Sequence, residues 1–274
     1  MTRPLAIIAA VLLAAPPSIS AESGEPGSPA PASPVLRTPH LALHLAGIGL
    51  AIGAYALSET VAKDALAPDA CRWCTPPGLD AAVRRHLLWH DPAAAGTLSN
   101  LTGYALSPLA ALGLLFVAGS AAPDRWQRFA DDTLAVAEAA AYTQLAVQAI
   151  KFSAGRQRPF VHVAPLGRAP DTDDNLSFPS GHSALAFSLA TAAGSVAQRR
   201  HAALAPAIWA IGLGLAATTA YLRIAADKHY VTDVLAGSAL GTAGGLFLPR
   251  LTGSLPADLI IAPAPSGVAI LGSF

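Results

Sequence analysis

The chain has 274 residues, with 17 basic and 17 acidic side chains and a formal net charge of zero. Hydrophobic residues make up 53% and charged residues only 12%, with a mean hydropathy of +0.47, whereas a soluble domain is about a quarter charged. The balance argues against a nucleic-acid partner, which selects a basic surface. It predicts an all-α bundle embedded in a membrane.

The first element reads as a targeting segment. Arg3 precedes an apolar run over 5–15, and Ser18-Ile19-Ser20-Ala21 offers small residues for cleavage. Residues 1–21 are therefore a signal peptide or, if uncleaved, an N-terminal anchor. Residues 22–38 are rich in Pro, Ser, Ala and Gly and read as a disordered linker. A helical domain is expected over 39–250, and a tail over 251–274.

Six apolar stretches of near-spanning length lie in that domain: 41–57, 101–121, 133–150, 183–197, 205–222 and 231–248. Several fall short of the roughly 20 residues that cross a bilayer. Their Ala and Gly content suits close approach of membrane helices. They predict about six membrane-embedded helices, although buried helices of a soluble protein have the same composition. The 41–57 stretch is short and contains His44, so it is the one expected not to span.

A polar segment after the first stretch contains Cys71-Arg72-Trp73-Cys74, the only two cysteines. Two thiols cannot complete a structural zinc site, so a local disulfide in an oxidising compartment is expected. Leu79, Val83 and Leu87 then recur at four-residue spacing beside Arg84 and Arg85, with Trp89 close by. This pattern describes a short helix lying on the membrane surface or in a solvated loop. On the third stretch Gln144, Gln148 and Lys151 share one helical face, with Glu138 and Tyr142 further back. Such groups are costly against lipid, so this face is expected to look into the bundle or a wet pocket. The acidic run 171–174 follows no apolar strand and reads as a solvated loop. The final residues, with apolar runs around a Pro-Ser-Gly turn at 265–267, predict a short β-hairpin-like tail.

Three patterns carry the chemistry. Lys151-x6-Arg158-Pro159, Pro179-Ser180-Gly181-His182 and Arg223-x5-His229-x3-Asp233 follow one another in that order. Arg158 and Arg223 offer planar forks suited to bidentate phosphate contact, and Lys151 a compact charge. Pro179 suits the first turn of the apolar helix that follows. The free N–H groups of that turn, with Ser180 and Gly181, would form an anion cradle. His229 and Asp233 are four apart, hence on one helical face. A neutral imidazole can attack phosphorus, with Asp233 holding its other nitrogen. His182 can protonate the leaving oxygen.

Together these patterns resemble those of the type 2 phosphatidic acid phosphatases, a superfamily that includes bacterial acid phosphatases and vanadium haloperoxidases. The resemblance covers roughly residues 100–250 and implies an all-helical core. By it, Lys151, Arg158, Ser180, Gly181 and Arg223 bind phosphate, His182 is the acid, His229 the nucleophile and Asp233 its orienting partner. It implies no metal and no other cofactor. The family's third pattern usually opens with Ser before the Arg, and here Leu222 stands in that place, which removes a hydroxyl contact.

The reading that follows is a phosphatase of a lipid phosphate or diphosphate acting through a phosphohistidine. A soluble periplasmic acid phosphatase, a vanadate-dependent haloperoxidase and a non-catalytic scaffold are the competing readings. The sequence leaves the oligomeric state and the particular lipid open. The expected location is the bacterial inner membrane with a periplasm-facing site, because Arg125, Arg128, Arg199 and Arg200 then fall in the cytoplasm. Six spans after a cleaved signal would reverse that orientation, which is a further reason to expect 41–57 not to span.

Overall fold

A computed structural model describes residues 38–165, 168–251, 260–264 and 267–271. The expected signal or anchor, and the linker up to residue 37, lie outside the described residues. All six apolar stretches are helical. They form α1 (Thr38–Glu59), α4 (Pro92–Asn100) running into α5 (Ser107–Gly119), α6 (Arg125–Ala154), α7 (Gly181–Arg199), α8 (Ala205–Ala225) and α9 (Val231–Leu251). Two short helices, α2 (Lys63–Leu66) and α3 (Gly78–Leu87), lie between α1 and α4. The tail is a two-stranded antiparallel hairpin, β1 (Ile260–Ala264) with β2 (Gly267–Leu271), in which Ile260 faces Leu271 and Ala264 faces Gly267.

The bundle is organised around α7. Ala184, Ala186, Ala190, Ala192, Ala193 and Val196 of this helix are buried, and it packs against α5, α6, α8 and α9. Small residues permit this crowding. An added Cβ on Gly237, Gly241 or Gly245 of α9 would fall 2.3 Å from the Ser180 carbonyl, 2.3 Å from the Ala184 carbonyl and 2.0 Å from the Thr191 hydroxyl, respectively. On the other side, a Cβ on Gly194 of α7 would lie 2.4 Å from the Trp209 ring of α8. The Ala- and Gly-rich composition thus becomes direct backbone-to-backbone contact at the centre.

Four helical segments are long and apolar enough to cross a membrane: Leu41–Glu59, Pro92–Gly119, Ala205–Ala225 and Val231–Leu251. They present Leu43, Leu50, Leu109, Val117, Ile211 and other apolar side chains on the outside. Helices α6 and α7 are as long, but they carry the polar residues of the interior and of the site. The chain is a membrane-embedded helical bundle.

Three expectations are corrected. The 41–57 stretch forms a 22-residue helix and belongs to the apolar four. Its His44 does not oppose membrane burial, because Nδ1 lies 2.5 Å from Oε1 of the fully buried Glu138 on α6. The second stretch begins earlier than expected, at Pro92, with Asp91 accepting from the Ala94 amide at 3.0 Å as N-cap. It also passes through a π-helical turn, Leu101–Leu106, where the Ser107 amide bonds to the Thr102 carbonyl. Pro108, lacking an N–H, cannot bond to the Tyr104 carbonyl, and a wider turn accommodates that gap. Finally, α3 does not spend its apolar stripe on the membrane. Val83 and Leu87 pack against Ile224, Val234 and Val231 of α8 and α9, and Arg84 forms two 2.6 Å bonds with Asp227.

Candidate active site

The ends of α1, α4, α6, α7, α8 and α9 that meet on one face of the bundle bring the three sequence patterns together. Lys151 ends α6, where Gly155 closes the helix in the left-handed conformation at φ 56°. A glycine is at home there because it has no Cβ to clash. Lys151 is buried, 3.9 Å from Glu59 of α1, and its Nζ lies 3.7 Å from the position of a Cβ on Gly181. Gln144 reaches the Gly181 carbonyl at 3.0 Å, and Gln148 reaches Glu59 at 2.8 Å. The polar stripe of α6 therefore does face the interior. Pro159 follows Arg158 and opens a short 3-10 turn over Pro159–Val163. That turn keeps Arg158 in the loop, where its Nε donates to the Asp173 carbonyl at 2.8 Å.

Ser180 is the N-cap of α7, accepting from the Ser183 hydroxyl at 3.0 Å, and its own amide donates to the Asp233 carbonyl at 3.0 Å. Pro179 precedes that cap instead of occupying the first turn, across a cis Phe178–Pro179 bond. His182 Nε2 lies 2.7 Å from Asn100 Oδ1, and the imidazole rests 4.4 Å from the Tyr104 ring. Arg223, at the end of α8, donates to the Ser99 hydroxyl at 3.1 Å. Its Nε has no partner, and among the described residues no carboxylate pairs with it. A buried guanidinium without a counter-charge is costly, and an incoming anion would supply what is missing. Leu222 is turned into an apolar cluster with Ala95, Ala225 and Ala226. The hydroxyl beside Arg223 comes from Ser99 instead.

His229 lies in the tight connection between α8 and α9 and is almost completely buried. Burial, then the positive charges of Arg223, Arg158 and Lys151, hold its imidazole well below the ordinary value of 6.5. The charges of the same three cations also act on His182. One pole therefore holds two imidazoles and three cations. Arg158 and Lys151 have carboxylates nearby, with Asp173 Oδ1 3.7 Å from Arg158 and Glu59 3.9 Å from Lys151. Lys63 neutralises part of both, at 3.3 Å from Glu59 and 2.8 Å from Asp173.

The orienting contact of His229 differs from the expected one. Its Nδ1 lies 2.7 Å from the Ser177 carbonyl, whereas Asp233 Oδ2 is 3.8 Å away. A carbonyl only accepts, so Nδ1 carries the proton and Nε2 is the free lone pair. Asp233 is engaged elsewhere. It accepts from the Ser177 hydroxyl at 2.6 Å, from the Tyr230 amide at 2.9 Å and from Arg156. Ser177 thus stands between Asp233 and His229 in the hydrogen-bond chain.

Sequence reasoning missed Ser99, Asn100, Tyr104 and Ser177, whose neighbours in space are distant in sequence. Arg156 falls at an unspecified position of the first pattern. The acidic run lies in a loop with Asp171 exposed, as expected, but it is only partly solvated: Asp174 is buried and binds Arg168, while Asp173 faces Lys63 and Arg158. The expected disulfide between Cys71 and Cys74 is present.

No curated protein matches the chain. Among solved structures, it is similar to the first transmembrane PAP2 type phosphatidylglycerolphosphate phosphatase from Bacillus subtilis, at 17% identity and a TM-score of 0.41. The match covers 77% of this chain and 96% of that one. The PAP2 superfamily model matches residues 132–255. Those residues hold Lys151, Arg158, Ser180, Gly181, His182, Arg223, His229 and Asp233, so all three sequence patterns fall within the stretch that is similar to the PAP2 superfamily.

Proposed function

We propose that the chain is a phosphatase that cleaves a lipid phosphate or diphosphate through a phosphohistidine formed on His229. The observation that carries this reading is a buried imidazole with a free Nε2, surrounded by three buried cations of which Arg223 lacks a counter-charge. Lys151, Arg158 and Arg223 would take the phosphoryl oxygens, joined by the N–H groups at the start of α7 and the Ser180 hydroxyl. His229 Nε2 attacks phosphorus, an N–P bond forms, and the bond from phosphorus to the leaving oxygen breaks. His182, which can hold a proton once the anionic phosphoryl group offsets the three cations, gives that oxygen its proton, worth about 10²–10⁴ in rate. In the second half His182 takes a proton from water, the water oxygen bonds to phosphorus, and the N–P bond breaks to release phosphate and free His229.

Four apolar helices around this site favour a substrate held in the membrane over a small soluble ester. A site facing the periplasm is supported by two features. The Cys71–Cys74 disulfide lies on the site side, where Trp73 stacks on Arg156, and disulfides persist in oxidising compartments. Arg125, Arg128, Arg199 and Arg200 lie at the opposite ends of α6 and α7, as the positive-inside rule requires of a cytoplasmic face.

The test is phosphate release by the purified protein and a His229→Ala variant, in chelator. Phosphatidate, phosphatidylglycerol phosphate, a polyprenyl diphosphate and a small soluble ester would be compared. Release by the parent alone, with an acid-labile phosphoryl group trapped on the parent, is expected. Equal release by the variant would refute the phosphohistidine.

A further inference from the structure

The segment before α4, outside the residues that match the family, sends one buried side chain into the site's framework. Asp80 of α3 is fully buried, as is Asp233, and Arg156 between them is 1% exposed. Arg156 Nη2 meets Asp80 Oδ2 at 2.5 Å, and its Nη1 bonds both Asp233 and the Thr232 hydroxyl, the latter at 2.7 Å. Asp80 closes the ring, accepting from the Thr232 amide at 3.0 Å and its hydroxyl at 2.7 Å. The guanidinium is sandwiched between Trp73, 3.8 Å from the ring centroid, and Tyr230, at 4.5 Å. Trp73 belongs to the disulfide-closed loop, which is tied to the same strand of chain by Gln157 N–H donating to the Trp73 carbonyl at 3.1 Å.

This bridge reaches the nucleophile through one residue. Ser177 donates its amide to the Arg156 carbonyl at 2.9 Å and its hydroxyl to Asp233 at 2.6 Å, and its carbonyl receives the His229 proton at 2.7 Å. Two bonds thus hold Ser177 to Arg156 and Asp233, and a third joins it to His229.

We propose that Asp80 and Arg156 are positioning residues for His229: the buried Asp80–Arg156–Asp233 bridge fixes Ser177, and the Ser177 carbonyl fixes the imidazole with Nε2 towards phosphorus. The proposal rests on the phosphohistidine reading for its kinetic consequences, but the imidazole geometry is testable without it. Neither residue touches the phosphate cations, so their loss should act on turnover and not on binding.

The experiment uses the full chain in detergent with Asp80→Asn, Arg156→Lys and the milder Thr232→Val. Two readouts are taken: steady-state kinetics with vanadate inhibition, and ¹⁵N NMR of histidine-labelled protein, with His229 assigned through His229→Gln. A kcat reduced by roughly 10²-fold, the cost of a misplacement of about 1 Å, is expected at unchanged KM and vanadate inhibition. The His229 signal should pass from a single Nδ1–H tautomer to a mixture. A lowered melting temperature with parental kcat and tautomer would make the bridge a structural staple and overturn the proposal. If Arg156→Lys does not fold, Asp80→Asn and Thr232→Val decide by the same criteria. If the parent hydrolyses nothing, the phosphatase reading fails by itself. The tautomer then decides the positioning role: a mixture in the variants supports it, and an unchanged Nδ1–H form overturns it.

Discussion

Replacing Gly241 by Ala tests whether the close packing of α7 on α9 sets both stability and the site. The new Cβ would lie 2.3 Å from the Ala184 carbonyl oxygen and 3.0 Å from that residue's Cα. Ordinary contact begins at 3.4 Å, so one backbone must retreat by about 1 Å. No flexible side chain can absorb this, since the obstacle is main chain on the most buried helix. Overpacking of this kind costs about 3 kcal/mol at the upper end. The better helix propensity of Ala returns about 1 kcal/mol. The net loss of about 2 kcal/mol corresponds to a melting temperature lowered by roughly 4–8 °C in a protein of this size. Because α7 begins with the Ser180 cap and α9 carries Asp233, the same displacement should reduce kcat by roughly 10²-fold. Gly214→Ala is the control, because a Cβ there meets nothing within 4 Å. Thermal unfolding in detergent and phosphate release would be measured on both. If Gly241→Ala melts with the parent or with Gly214→Ala and keeps full turnover, the argument from contact distance is wrong.

Two further outcomes follow from the structure. α1 is long and apolar enough to cross and its Glu59 end meets the site, so with α1 crossing, residue 30 and residue 124 precede the non-site ends of α1 and α6. Tags at both positions should be protected on the same side in a protease-protection assay; opposite sides would mean that α1 does not cross. That arrangement with a periplasmic site also predicts that residues 1–21 are not removed as an export signal. The second outcome concerns pH. His229 is held below 6.5 in the folded chain, so as pH falls the unfolded chain takes up this proton first. Its contribution to stability is full above about pH 6.5 and is lost as pH falls below it. Between about pH 8 and about pH 5 the parent's melting temperature should fall more steeply than that of His229→Asn. Equal slopes would show that the imidazole is not held neutral.

The Ala- and Gly-rich runs, with few charges, were enough to call six helices and a membrane bundle, because composition and run length alone decide whether a helix tolerates lipid. That Lys151, Arg158, His182, Arg223 and His229 come together was legible for a similar reason: short motifs hold them at helix ends, and their residue types suit one anionic group. His44 was misjudged because a polar residue's cost depends on its partner, and Glu138 lies 94 positions away. The stripe of α3 was read as facing the membrane surface or a solvated loop because periodicity identifies a face without saying what covers it.

What only the tertiary structure decided is which group touches which. The spacing of His229 and Asp233 put both on one helical face, and from sequence a direct bond was the natural inference. In the fold the Ser177 carbonyl lies closer, and Asp233 is taken up by Ser177, Tyr230 and Arg156. Asp80, Ser99 and Asn100 entered the site without any motif. A hydrogen bond is decided by tenths of an ångström between groups far apart in the chain, and residue order carries such distances only after packing has set them. Residue types and their order determined the helices and the chemistry available; the packing of α7 against its neighbours determined how that chemistry is aimed.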